Sequence, residues 1–181
     1  MNSLAGLMSH RFVRSIILIV PIGLILLISL TSCNEDNFFR IRYDDIGPFD
    51  TTAVPRVTAP NGLIIYFHQD GHGDVLSENQ SIRVRYTGRT TNGEIFDSTI
   101  QNDVDTPTTL RLQGMITGFM QGLAGYMDVV DGENRRVNAA REGSIRTLVI
   151  PPELGYGGSN HRLSADTLIF DIDVVSIASD F

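Results

Sequence analysis

With 181 residues, 42% of them hydrophobic, the chain supports one domain of ordinary size with appendages. All 14 basic residues are arginine, and the lack of lysine rules out Schiff-base chemistry and a phosphate-gripping P-loop lysine. The net charge is −7, and −9 once Arg11 and Arg14 are set aside with the apolar run behind them, so an acidic body without a basic face excludes nucleic acid as a partner.

Residues 1–32 read as a targeting segment. Arg11 and Arg14 form a positive start, Ile16 to Leu30 is almost wholly apolar, and Leu30-Thr31-Ser32-Cys33 closes it. The run is short for a membrane span and contains Pro21 and Gly23, which suits a signal sequence better than a stable transmembrane helix. Leu, two small polar residues and Cys resemble the lipobox of bacterial lipoproteins, which implies lipidation of Cys33 and a membrane-anchored domain in the cell envelope, facing the periplasm or the cell surface. An uncleaved anchor with an incidental cysteine is the alternative. Cys33 is the single cysteine, so the domain has neither a disulfide nor a thiol nucleophile.

Residues 33–60 read as the lipidated cysteine and a tether: acidic residues mixed with Pro48, Pro55 and Pro60, with no sustained period. Phe38, Phe39, Ile41, Tyr43 and Phe49 are too apolar for a wholly disordered stretch, so part of it is expected to dock on the domain or form a short helix. The domain proper is expected over 61–181. Leu63 to Phe67 predicts a buried strand, ended by the glycine-rich turn His68 to Asp74. His68, His72 and two aspartates invite a metal reading, but only His161 remains elsewhere as a further histidine in the domain, and a solvated turn explains them; no metal site is expected.

Ser81 to Tyr86 alternates, with Ile82, Val84 and Tyr86 inward against Arg83 and Arg85. Asn92-Gly93 predicts a hairpin returning through Glu94 to Asp97, with Phe96 inward and Asp97 at the rim; Asp103 to Pro107 is a polar loop. Thr109 to Leu112 reads as a half-buried strand. From Thr117 the apolar spacing turns helical, Phe119 to Leu123 to Met127, with Thr117 as N-cap and Gly122 and Gly125 inside. Asp128 to Ala140 reads as a solvated polar loop carrying the basic cluster Arg135, Arg136 and Arg141. Ile145 to Ile150 is a strand stopped by Pro151-Pro152. Tyr156 lies in a glycine-rich loop, and Thr167 to Ile177 closes the domain with Leu168, Phe170, Ile172 and Val174 inward and Asp171 and Asp173 outward.

No nucleophile elbow, metal-spaced histidine pair or dinucleotide fingerprint is present. What remains is a set of inward aromatic residues from distant segments, with Tyr156 and Asp97 at positions that face clefts. Val84-Arg85-Tyr86-Thr87-Gly88, Gly93-Glu94-Ile95-Phe96-Asp97-Ser98, Met115-Ile116-Thr117-Gly118-Phe119, Ile150-Pro151-Pro152-Glu153-Leu154-Gly155-Tyr156-Gly157 and Thr167-Leu168-Ile169-Phe170-Asp171-Ile172 resemble, in order, the FKBP-type peptidyl-prolyl cis-trans isomerases. The resemblance implies an α+β fold in which an antiparallel sheet of five or six strands curls around one short helix.

It further implies a proline-binding pocket of Tyr86, Phe96, Asp97, Ile116, Phe119, Tyr156 and Phe170, with Met115 and Leu163 contacting substrate. Phe119 stands where many members have Trp, Met115 replaces a Val, Thr108 stands where an aromatic wall residue is common, and the loop Gly158 to Asp166 lacks an Ile-Pro-Pro run. The expected activity is isomerisation of prolyl bonds in exported polypeptides, without a cofactor. The alternative is a polypeptide-binding module or holdase of the same fold with little turnover.

Overall fold

The computed structural model describes residues 46–101 and 104–178; Cys33, the apolar segment and the aromatic residues between 38 and 43 lie outside them. The chain divides into units of residues 1–38 and 39–181, and every described residue belongs to the second. Among the described residues no helix is long and apolar enough to cross a membrane.

A seven-stranded antiparallel sheet organises the domain, one strand more than the upper expectation. Its strands are β1 (Arg56–Thr58), β2 (Ile64–Gln69), β3 (Ser81–Thr90), β4 (Ile95–Ser98), β7 (Thr108–Arg111), β10 (Ile145–Ile150) and β11 (Leu168–Ala178). They run in the order β1-β2-β10-β11-β3-β4, with β7 also on β3. β1 lies within the stretch read as tether: Val57 pairs with Ile65, so the sheet begins before Asn61. β11 is central, paired with β10 through Leu148↔Phe170 and with β3 through Phe170↔Gly88. The Asn92-Gly93 turn joins β3 to β4 as expected, Gly93 sitting at φ 89° and Thr90 N–H donating to Glu94 O at 3.0 Å.

The helix α1 (Thr117–Ala124) is shorter than the spacing predicts. Ile116, at extended backbone angles, occupies the N-cap position and no side chain caps the helix, so Thr117 is its first residue and not its cap. Gly125 at φ 83° ends it, which leaves Met127 in a strand, where its helical spacing from Leu123 carries no meaning. Phe119, Leu123 and Ala124 are buried in one core cluster with Leu148, Ile150, Leu168, Ile172 and Val174. Gly118 and Gly122 let the helix lie directly on β10: a Cβ at Gly118 would overlap Ile150 Cγ2, and one at Gly122 would overlap Leu148 Cδ1 and sit 2.7 Å from Cδ2. Gly122→Ala should therefore lower stability by about 1–3 kcal/mol despite the better helix propensity of alanine, as a shift in urea midpoint would show.

The stretch Asp128 to Ala140 is not a loop. Tyr126–Val130 (β8) and Glu133–Val137 (β9) form a two-stranded hairpin, Val130 opposite Glu133, turned by Asp131 and Gly132 at φ 54° and 81°. Two positive φ values at Asp-Gly are the signature of a two-residue hairpin turn, and that backbone preference prevailed over polar composition. The basic cluster is not free. Arg135 pairs with Glu133, Arg136 reaches Gly125 O and Glu78, and Arg141 donates to Gly73 O. A shorter pair joins β5 (Ile100–Gln101) to β6 (Val104–Asp105), and β6 falls within the stretch Asp103 to Pro107 expected as a polar loop.

Candidate functional site

Four aromatic rings from four elements meet over α1. The Tyr86 ring from β3 meets Phe119 edge to face at 6.0 Å; Phe170 from β11 lies 5.2 Å from Phe119 and 5.4 Å from Phe96 of β4, at interplanar angles of 85° and 88°. Edge-to-face contacts at these separations are favourable beyond the area they bury, because the positive ring edge faces a negative ring face. Phe119 and Phe170 are buried, whereas Tyr86 and Phe96 are half-buried, so the cluster opens from a closed floor toward solvent.

Local sequence explains the convergence. Strand parity places Tyr86 and Gly88 on the helix side of β3, and the Phe170↔Gly88 register sets Phe170 beside them. A Cβ on Gly88 would stand 2.7 Å from Phe96 Cζ and 2.8 Å from Phe170 Cε1, so the missing side chain is what lets both rings close over β3.

The polar rim follows from the hairpin. Tyr86 Oη donates to Asp97 Oδ2 at 2.8 Å, and Asp97 is exposed at the end of β4. Burial, then that hydrogen bond and the Asp97 charge, push the Tyr86 hydroxyl well above the usual phenol range, so it stays protonated and donating. Met115, Ile116 and Tyr156 are half-buried and pack against the core, and Leu163 is buried at the edge of the glycine-rich loop. The Tyr156 ring is stacked on His161, 3.8 Å between centroids and 21° apart in plane, and its hydroxyl bonds to no other described residue. Leu163 N–H donates to His161 Nδ1 at 3.2 Å, which ties the loop's apolar contact to the same stack. His161 is thus a neighbour of the site that sequence reasoning considered only as a metal ligand. Its distance of five residues from Tyr156 across a glycine turn was the available signal.

The other histidines are engaged elsewhere: His68 Nε2 shares a hydrogen bond with Thr147 Oγ1 at 2.9 Å, and His72 bridges Glu142 at 3.7 Å. Among the described residues no three metal-ligating side chains gather. Under the other end of the helix, Arg146 is buried, donating to Gly122 O and Asn138 O and lying 5.1 Å over Phe67. Desolvation lowers its pKa to about 10, leaving it charged at neutral pH as a helix C-terminal cap.

The family model of FKBP-type peptidyl-prolyl cis-trans isomerases matches residues 73–175. A probable isomerase of this type from Haemophilus influenzae is 30% identical over 123 residues, covering 66% of this chain and 44% of that protein. The peptidyl-prolyl cis-trans isomerase Mip of Chlamydia muridarum is 32% identical over 121 residues, covering 67% of this chain and 43% of that protein. The chain thus spans less than half the length of these relatives. Among solved structures, AtFKBP13 superposes with a TM-score of 0.55 at 30% identity, over 68% of this chain and 99% of that one. Escherichia coli FkpA gives 0.54 at 27% identity, over 67% and 51%.

Proposed function

Because the chain belongs to the FKBP-type peptidyl-prolyl cis-trans isomerase family, we propose that it catalyses cis-trans isomerisation of Xaa-Pro bonds in polypeptides, using the aromatic cluster as its proline pocket. The observation that carries the proposal is the meeting of Tyr86, Phe96, Phe119 and Phe170 above one helix, closed below and open toward Asp97.

The chemistry asks for no ionised catalyst. Turning about a prolyl amide meets a barrier of roughly 18–20 kcal/mol, because resonance is lost when the bond twists. A dry apolar pocket holds the ring and disfavours the planar, more polar amide relative to the twisted one. A barrier lower by about 7 kcal/mol corresponds to roughly a 10⁵-fold acceleration. In this reading the Tyr156 O–H and the Ile116 N–H donate to substrate carbonyls, which is supported by neither donating to a described residue, while Met115 and Leu163 supply flanking apolar contact. Asp97 fixes the Tyr86 hydroxyl at the rim.

A protease-coupled assay on a prolyl tetrapeptide should show catalysed isomerisation by the purified protein; none above the uncatalysed rate would overturn the proposal. One observation favours a holdase as a second reading: the β8–β9 hairpin presents Met127 and Val129 to solvent at 55% and 65% exposure. Suppression of aggregation without isomerisation would select it.

The place of action rests on sequence alone. The lipobox-like Leu30-Thr31-Ser32-Cys33 supports a domain anchored through lipid on Cys33 in a bacterial envelope, with exported polypeptides as clients. Radiolabelled palmitate should enter the wild-type chain and not Cys33→Ala.

A further inference from the structure

The outer face of the sheet, turned away from the aromatic cluster, carries a buried ion pair with no part in the isomerase reading. Arg89 Nη1 donates to Asp171 Oδ2 at 2.6 Å, and the two side chains keep 6% and 4% of their surface. Thr147 Oγ1 donates to Asp171 Oδ1, also at 2.6 Å. A charge pair this deep needs its remaining donors and acceptors filled. Here the main chain of a segment before the first strand fills them. Arg89 Nη2 donates to Ile46 O at 2.9 Å and Gly47 O at 3.1 Å, and Phe49 N–H donates back to Asp171 Oδ2 at 3.2 Å. The Phe49 ring then meets His68 edge to face at 5.3 Å. Beside the segment opens a cavity of about 180 Å³, rimmed by Arg85, Asp105 and Asp173.

We propose that Arg89 and Asp171 form a clasp for the leading segment of the domain. They grip its main chain at residues 46, 47 and 49, so the chain enters the domain on the sheet face turned away from the aromatic cluster. Strand parity makes this possible: along β3 and β11 the clasp residues alternate with Tyr86, Gly88 and Phe170, so the two functions occupy opposite faces of the same two strands. Because the contacts are to backbone groups, the clasp is insensitive to the side chains it holds, apart from the Phe49 ring.

Hydrogen exchange on the full chain, read by mass spectrometry, tests this. Replacing the pair by apolar residues of similar size, Arg89→Met with Asp171→Leu, should speed exchange of the Phe49 amide, the one N–H of the segment that the pair accepts, by at least about tenfold, with the amides of Tyr86 and Phe170 unchanged. Equal exchange at the Phe49 amide in wild type and variant, with the sheet still protected, would overturn the clasp. Should the double variant fail to fold, the wild-type chain alone decides: its Phe49 amide, donated to Asp171 Oδ2, should exchange at least about tenfold more slowly than an unstructured amide of the same sequence. Protection of that amide supports the clasp, and exchange at the unstructured rate overturns it.

Discussion

Phe96→Ala should lower kcat/KM for a prolyl peptide by roughly 30- to 150-fold, equivalent to about 2–3 kcal/mol of lost transition-state stabilisation. Phe96 stands on β4 with its ring edge to face with Phe170 across Gly88, and it is half-buried, so it forms wall and not floor. A floor residue such as Phe119 would confound the measurement, because removing a fully buried ring destabilises the domain by about 3–5 kcal/mol. Phe96 separates the effects: its loss opens the pocket to water and forfeits apolar contact with the proline ring, while the core beneath stays filled. The loss should appear in kcat/KM at an unchanged circular dichroism spectrum. A variant within about threefold of wild type would show that the ring does not touch substrate, and the pocket would have to be placed elsewhere.

The second large effect concerns stability. Arg89→Ala should destabilise the domain by about 3–5 kcal/mol, a large part of the 5–15 kcal/mol typical of a folded domain. The mutation strands the Asp171 carboxylate, 4% exposed, with Thr147 Oγ1 and Phe49 N–H as its remaining donors and no cation. The penalty arises from the uncompensated buried charge and not from the attraction lost, which the double variant Arg89→Met/Asp171→Leu separates. With both charges gone, stability should return to within about 1–2 kcal/mol of wild type. Urea unfolding of both variants measures this. A single variant as stable as wild type would mean that water reaches Asp171.

Much of the fold was legible because alternation fixes which face a side chain takes. Ile82, Val84 and Tyr86, and likewise Leu168, Phe170, Ile172 and Val174, turn to the side of the sheet their parity predicts. The helix was legible in kind but not in length, since Met127 happens to fall four residues after Leu123 although the chain has already turned at Gly125. The β8–β9 hairpin was hidden by its polar composition, although Asp131-Gly132 carried the turn signal. His161 stacks on Tyr156, a contact that depends on how the glycine-rich loop folds back and that residue spacing alone does not encode.

The sequence by itself determined the strand faces, the Asn92-Gly93 hairpin and the family, because each is written in neighbouring residues or in short motifs kept in order. Only the tertiary structure decided the fate of Arg89 and Asp171. Parity correctly sends Asp171 to the outer face, where solvent is the default expectation, and nothing near it in the chain says otherwise. Its partner lies 82 residues away, and the pair becomes buried only because the β3–β11 register sets the two side by side and residues 46–49 cover them. Burial belongs to the assembled surface, and no local pattern encodes which distant segment will supply it.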